Sequence, residues 1–151
     1  MKRKWLFLLL SSLIVVFSCD KNNPVKDDEE DHDHAEAVGM VIFQGETELV
    51  RNEAGAVTGS IQVNAGETTP VLTIQFIDEH DQDLFVPDSD HHSLQWSLAE
   101  SNIVSINAVD SDPWAFTVTG KQAGETEAEF KIYHGDHADF VSMAVPIVVQ
   151  Q

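Results

Sequence analysis

The segment His134-Gly135-Asp136-His137-Ala138-Asp139 packs two imidazoles and two carboxylates into six residues, between two runs that read as β-strands. His80, His91 and His92 lie in a second polar stretch, so five of the seven histidines occupy two places in the chain. Neutral imidazole nitrogen and carboxylate oxygen are donors that zinc takes in a tetrahedral set, and thiolate is not required. These residues lead us to expect a divalent-metal site, with zinc as the best-fitting ion. Its ligands would be His134 and His137 plus two of His80, His91 and His92, with Asp136 or Asp139 as a further ligand or as the acceptor behind a ligating ring. On one extended strand, His134 and His137 would point to opposite faces; across a turn they can converge. Copper(II) and nickel favour the same imidazoles, whereas Met40 and Met143 are too few to argue for copper(I). Asp78, Glu79, Asp81, Asp83, Asp88 and Asp90 offer oxygen to calcium, but the loop lacks the calcium-loop glycine and calcium would leave the histidines unexplained. The plainer alternative is a set of solvated loop histidines beside acids.

Strands must position these loops. The runs 38–44, 47–51, 57–63, 69–77, 94–98, 103–106, 114–118, 126–133 and 140–149 are short, rich in β-branched and aromatic residues, and separated by turn signals. In 69–77 the residues Leu72, Ile74 and Phe76 alternate with polar neighbours and should face the core. No stretch carries useful helical periodicity. The pattern predicts an all-β sandwich over 38–151, a length that suits one core.

Val63-Asn64-Ala65-Gly66-Glu67-Thr68, Leu94-Gln95-Trp96-Ser97-Leu98 and Asn102-Ile103-Val104-Ser105-Ile106 resemble the bacterial Ig-like domains of group 2. So does Phe116-Thr117-Val118-Thr119-Gly120-Lys121-Gln122-Ala123-Gly124-Glu125-Thr126, which resembles that family's strand, turn and strand. The likeness spans about 60–149 and departs from the family pattern in the long insertion 78–93 and in the added strands of 38–59. It implies an Ig-like sandwich of the kind used in adhesion and scaffold modules, and leaves function open. In such a sandwich, the loop between the second and third strands and the turn of the last hairpin lie at one end. Both histidine-bearing segments would then share a pole. Counting strand reversals backward puts the start of the domain near it too, within reach of His32 and His34.

The N-terminus reads Lys2-Arg3-Lys4 followed by the apolar run Trp5 to Phe17, the layout of a secretory signal and too short for a spanning helix. Val16-Phe17-Ser18-Cys19 resembles the lipobox of bacterial lipoproteins, which implies lipidation of Cys19, the chain's single cysteine. Residues 1–18 are thus expected to be a lipoprotein signal peptide. Residues 19–37 follow as a lipid-bearing cysteine and a disordered acidic tether with too little apolar surface to fold. Lys26-Asp27-Asp28-Glu29-Glu30 also resembles the acidic export signal of surface lipoproteins of Bacteroidetes-like bacteria. The expected location is the bacterial cell envelope, on the periplasmic face of the outer membrane or at the cell surface.

Cleavage before Cys19 takes away Lys2, Arg3, Lys4 and no acid, leaving five basic against 26 acidic residues and a formal charge of −21. Nucleic acid is excluded as a partner because phosphate contact needs a basic footprint. Anionic lipid is repelled as well, so membrane attachment falls to the lipid on Cys19. The chain has no Gly-x-Ser-x-Gly elbow, no cysteine nucleophile beyond the anchor, and acids too abundant to single out a catalytic pair, so no enzyme is expected. Trp96 and Trp114 read as core residues of the sandwich. The expected function is metal scavenging, buffering or delivery to an envelope transporter or other surface protein. The alternative is a metal-free structural or adhesion module.

Overall fold

The computed structural model describes residues 34–151, and everything structural below refers to these. Twelve strands and no helix are found among the described residues. None of them forms a helix long and apolar enough to cross a membrane.

The chain enters through β1 (Ala37–Gln44) and β2 (Thr47–Glu53), an antiparallel hairpin extended by β3 (Ala56–Gly59). The sequence reads 57–63 as one strand; the structure breaks it after Gly59. Gly59 has φ 82°, and a Cβ there would collide with the Leu49 carbonyl, so this is a corner that only glycine turns. Beyond the corner, β4 (Ile61–Asn64) belongs to the opposite sheet. β5 (Leu72–Asp78) starts three residues later than the pattern suggested. Pro70 has no N–H to give a ladder, and the Thr69 N–H and hydroxyl instead bond the backbone of Val118. Leu72, Ile74 and Phe76 are buried as expected.

After β5 the polar connection holds a two-residue strand, β6 (Leu84–Phe85), paired back onto β5. There follow β7 (His92–Leu98), β8 (Val104–Val109), β9 (Asp112–Gly120), β10 (Gly124–His134), β11 (His137–Val141) and β12 (Val145–Gln150). One sheet runs β3-β2-β1-β5-β9-β8, with β6 beside β5. In the other, β10 pairs β7 as well as β11 and β12, and β4 lies parallel to β12. The run 140–149 is interrupted because the Ser142 hydroxyl accepts the Phe130 N–H and donates to the Met143 carbonyl, leaving the strand bent at 142–144. The two sheets enclose a single core in which Phe76, Phe116, Phe130, Ile132 and Ile147 are fully buried. Trp114 is buried edge-on against Phe76, and Trp96 is partly buried near the Phe116 ring. This is the sandwich the alternation predicted.

The boundary at 38 is corrected. Residues 34–37, assigned by composition to the tether, are ordered: Ala37 already pairs with Asp78, and Ala35 donates its N–H to Asp139. Their own side chains contribute little burial, and the order comes from a carboxylate 104 residues away. The expected signal peptide, Cys19, His32 and the rest of the expected tether lie outside the described residues.

Candidate metal centre

The centre starts from a turn. His134 and His137 are the last and first residues of β10 and β11, and only Gly135 and Asp136 separate them. Gly135 sits at the first central position with φ 55°, the sign a type II′ hairpin turn requires. A two-residue turn makes its flanking residues a direct cross-strand pair, so His134 and His137 lie opposite each other on one face. The expected six-residue turn 134–139 is therefore a two-residue one, and convergence of the two rings follows from the ladder itself.

The row extends to β7. His92 pairs with His134 on the other side of β10, so three histidines stand side by side across three strands. They share the face of Ile132 and Phe140, at the end of the core. Ring centroids are 4.8 Å apart for His92 and His134, and 5.6 Å for His134 and His137.

The carboxylate comes from β11, at a β-bulge. Tyr133 pairs with Ala138 and Ile132 with Phe140, which leaves Asp139 as the extra residue of β11. Alternation puts Asp139, two residues after His137, on the histidine face, and the bulge brings Phe140 to that face as well; the Asp139 side chain is only 2% exposed. Its Oδ1 lies 3.2 Å from His34 Nδ1 and 3.1 Å from His137 Nε2. Its Oδ2 lies 3.3 Å from His92 Nε2 and 3.8 Å from His134 Nδ1, and accepts the Ala35 N–H at 3.0 Å. Burial pushes the Asp139 carboxyl up, but the Ala35 N–H, the His34 hydrogen bond and the charges of His34 and His134 outweigh it, and the net shift is downward.

Donor atoms of His34, His134, His137 and Asp139 all lie within 4.8 Å of one another. The short pairs, 3.1 and 3.2 Å, approach the ligand spacing of about 3.4 Å implied by tetrahedral bonds of about 2.0–2.1 Å. This set is chemically suited to zinc, copper(II) or nickel.

Of the residues expected from sequence, His134, His137 and Asp139 are brought together, with His92 against them. His80 is not in the group: its Nδ1 lies 3.1 Å from Glu36 Oε2 and 3.8 Å from Asp78 Oδ1. His91 is turned to Asp88, 2.9 Å from its Oδ2, although its ring is 6.5 Å from that of His134. Asp136 is fully exposed and holds His137 Nδ1 from outside at 3.2 Å. It stands on the side of the His137 ring away from Asp139. His34 joins the group by the strand-reversal argument, the weakest of the sequence signals. The Ala35 N–H had no signal at all, since nothing in a backbone amide marks its partner.

No protein-family model matches this chain, and no curated protein matches it. A solved structure of domains 4 and 5 of the S-layer protein SbsC is similar to it, with a TM-score of 0.43 and 16% sequence identity, over 75% of this chain and 66% of that one. The chain thus spans just under two thirds of that neighbour's length, and at this score the likeness carries no argument about function.

Proposed function

We propose that this protein binds one divalent transition-metal ion, with zinc as the reference ion, through His34, His134, His137 and Asp139 at one end of the sandwich. The observation that carries the reading is the Asp139 carboxylate, held in a nearly dry position among imidazoles. Four protein donors satisfy a tetrahedral ion and leave no place for a reactive water, which favours holding and passing on a metal over hydrolysis. The formal charge of −21 beyond residue 18 favours cations near the domain. Lys2-Arg3-Lys4, the apolar run after it and Ser18-Cys19 support a lipid-anchored protein of the bacterial envelope. A transporter or another surface protein would be the natural recipient of the ion.

The test is zinc binding by the chain from Asp20 onward, beside His134→Ala with His137→Ala, and His80→Ala with His91→Ala. One-to-one binding weakened at least about a hundredfold by the first pair and left within about twofold by the second supports the site; ~1.4 kcal/mol corresponds to tenfold. Binding indifferent to His134 and His137 rejects it.

A second reading is a metal-free adhesion module. It is favoured by the exposed apolar residues Val141 and Met143 beside the break between β11 and β12. Absence of bound metal together with capture of a partner through this surface would select it.

A further inference from the structure

Among the described residues, the second sheet ends on an uncovered strand edge. β7 pairs with β10 alone, over His92–Leu98 and without a register shift. The Ala99 N–H donates to the Glu127 carbonyl at 3.0 Å, and backbone groups in an antiparallel ladder point alternately to one neighbour and to the other. Ser93, Gln95 and Ser97 therefore bond β10. Phe130, opposite Trp96, fixes the same parity: it gives its N–H to the Ser142 hydroxyl and accepts the Ser142 N–H, both on the side away from β7. The N–H and C=O of Leu94, Trp96 and Leu98 consequently point off the sheet, where no backbone partner meets them among the described residues.

Lysine, proline, a bulge or a very short strand guards such an edge in most proteins, and β7 carries none of these. The remaining edge strands differ. β3 has four residues and ends at the Gly59 corner, and β11 carries the Asp139 bulge. In β4 and β8 the apolar residues Ile61, Val63, Val104 and Ile106 are already buried. On β7, by contrast, Leu94, Trp96 and Leu98 pack against the core and are only partly buried. A strand added there would gain main-chain hydrogen bonds and cover apolar surface at the same time.

We infer that β7 pairs antiparallel with β7 of a second copy of this chain, about a two-fold axis through Trp96. Leu94-Gln95-Trp96-Ser97-Leu98 reads the same in residue class from either end, which is the self-complementarity a two-fold interface needs. In that register Trp96 meets Trp96, each Leu94 meets the other copy's Leu98, and Gln95 meets Ser97. Every outward N–H and C=O of Leu94, Trp96 and Leu98 then finds a partner. The aromatic and leucine pairs fall on the core-facing side and the polar pairs on the outer side. Charge selects the same occupant. The formal charge beyond residue 18 is −21, yet residues 91–99 hold no acid and no base, so two copies can join here without setting carboxylate against carboxylate. The repulsion that remains is long-range and screened by salt, whereas a basic partner would be lost as salt rises. None of the paired residues is a proposed metal donor, and the pairing does not depend on the ion.

The test uses the full chain in detergent, with micelles in large excess over protein so that two copies do not share one by chance. Sedimentation equilibrium should show a dimer that dissociates on dilution and tightens as salt is raised. Trp96→Pro and Leu98→Pro each remove an N–H that the single chain leaves unbonded, at positions where an edge strand tolerates proline, and each should weaken the dimer at least about tenfold. Far-ultraviolet circular dichroism checks that the variants fold. Should they fail to fold, hydrogen exchange of the wild type decides: the amides of Leu94, Trp96 and Leu98 must gain protection as protein concentration rises, and those of β8 must not. A chain that is monomeric at every concentration, a dimer that loosens as salt is raised, or a dimer left intact by both folded variants overturns the assignment. So does protection gained on β8 instead, or protection of β7 that ignores concentration, the mark of an edge covered by the chain's own residues.

Discussion

Asp139 accepts the backbone N–H of Ala35 at 3.0 Å, which ties the last hairpin of one sheet to the residues that lead into the first strand of the other. The same carboxylate lies 3.2 Å from His34, so a donor to the proposed ion and the bond that holds its segment in place depend on one side chain.

Removing that carboxylate should cost stability before any metal is added. Asp139→Ala leaves the Ala35 N–H and the His34 ring without the carboxylate they bond, a loss of roughly 1–3 kcal/mol. Urea denaturation of the metal-free chain measures it. A change below about 0.5 kcal/mol would show that the bond adds nothing net.

Acid should have a defined effect. The folded-state Asp139 carboxyl is held below its ordinary value, so between the two values the unfolded chain binds more protons than the folded one. Its contribution is fully present above the unfolded carboxylate value of about 3.9 and is lost as pH falls through the lowered folded value. Acid denaturation of metal-free wild type beside Asp139→Asn should show the wild type losing more stability below about pH 4. Parallel curves would contradict the assignment.

The hairpin turn is sensitive to its glycine. Gly135→Ala meets no neighbour but must hold φ 55°, at a cost of about 1–2 kcal/mol. Because the turn sets the opposition of His134 and His137, zinc affinity should fall with it, by at least about threefold. Gly59→Ala, which forces a methyl against the Leu49 carbonyl at the sheet-crossing corner, should cost more than about 2 kcal/mol, and because its near neighbours are Leu49 and Val50 and none of the proposed donors, it should leave the zinc affinity of the folded variant unchanged. Thermal denaturation and zinc titration of both variants separate the two effects.

Zinc should stabilise the domain by mass action. At a free concentration of about 100 times Kd, the gain is about 2.7 kcal/mol, which for a domain of this size is a rise in Tm of roughly 10 °C. His34→Ala should reduce that rise and also leave the amides of residues 34–37 exchanging as fast with zinc as without it. Hydrogen exchange of that segment provides the measurement.

Alternation and turn residues were sufficient to locate most strands and the buried face of β5, because strand periodicity is a local property of side chains. The breaks were not legible. Nothing local in the run 57–63 states that its halves belong to different sheets, since the corner depends on how closely Leu49 approaches Gly59. The interruption of 140–149 depends on Ser142 meeting the Phe130 N–H across the ladder.

The site divides in the same way. The sequence by itself determined the donor types, the short spacing from His134 to Asp139, the strands on either side, and the glycine whose φ closes the turn. Tertiary structure alone decided which histidines meet. Register set His92 beside His134, and one extra residue in β11 brought Phe140 onto the core face beside Asp139. His80, with the same chemistry and a comparable loop position, was left on Glu36 instead. The physical reason is that a ligand set depends on distances of a few ångströms between strands far apart in the chain, and these distances are fixed by cross-strand register and bulges and not by the identity of the ligating residues.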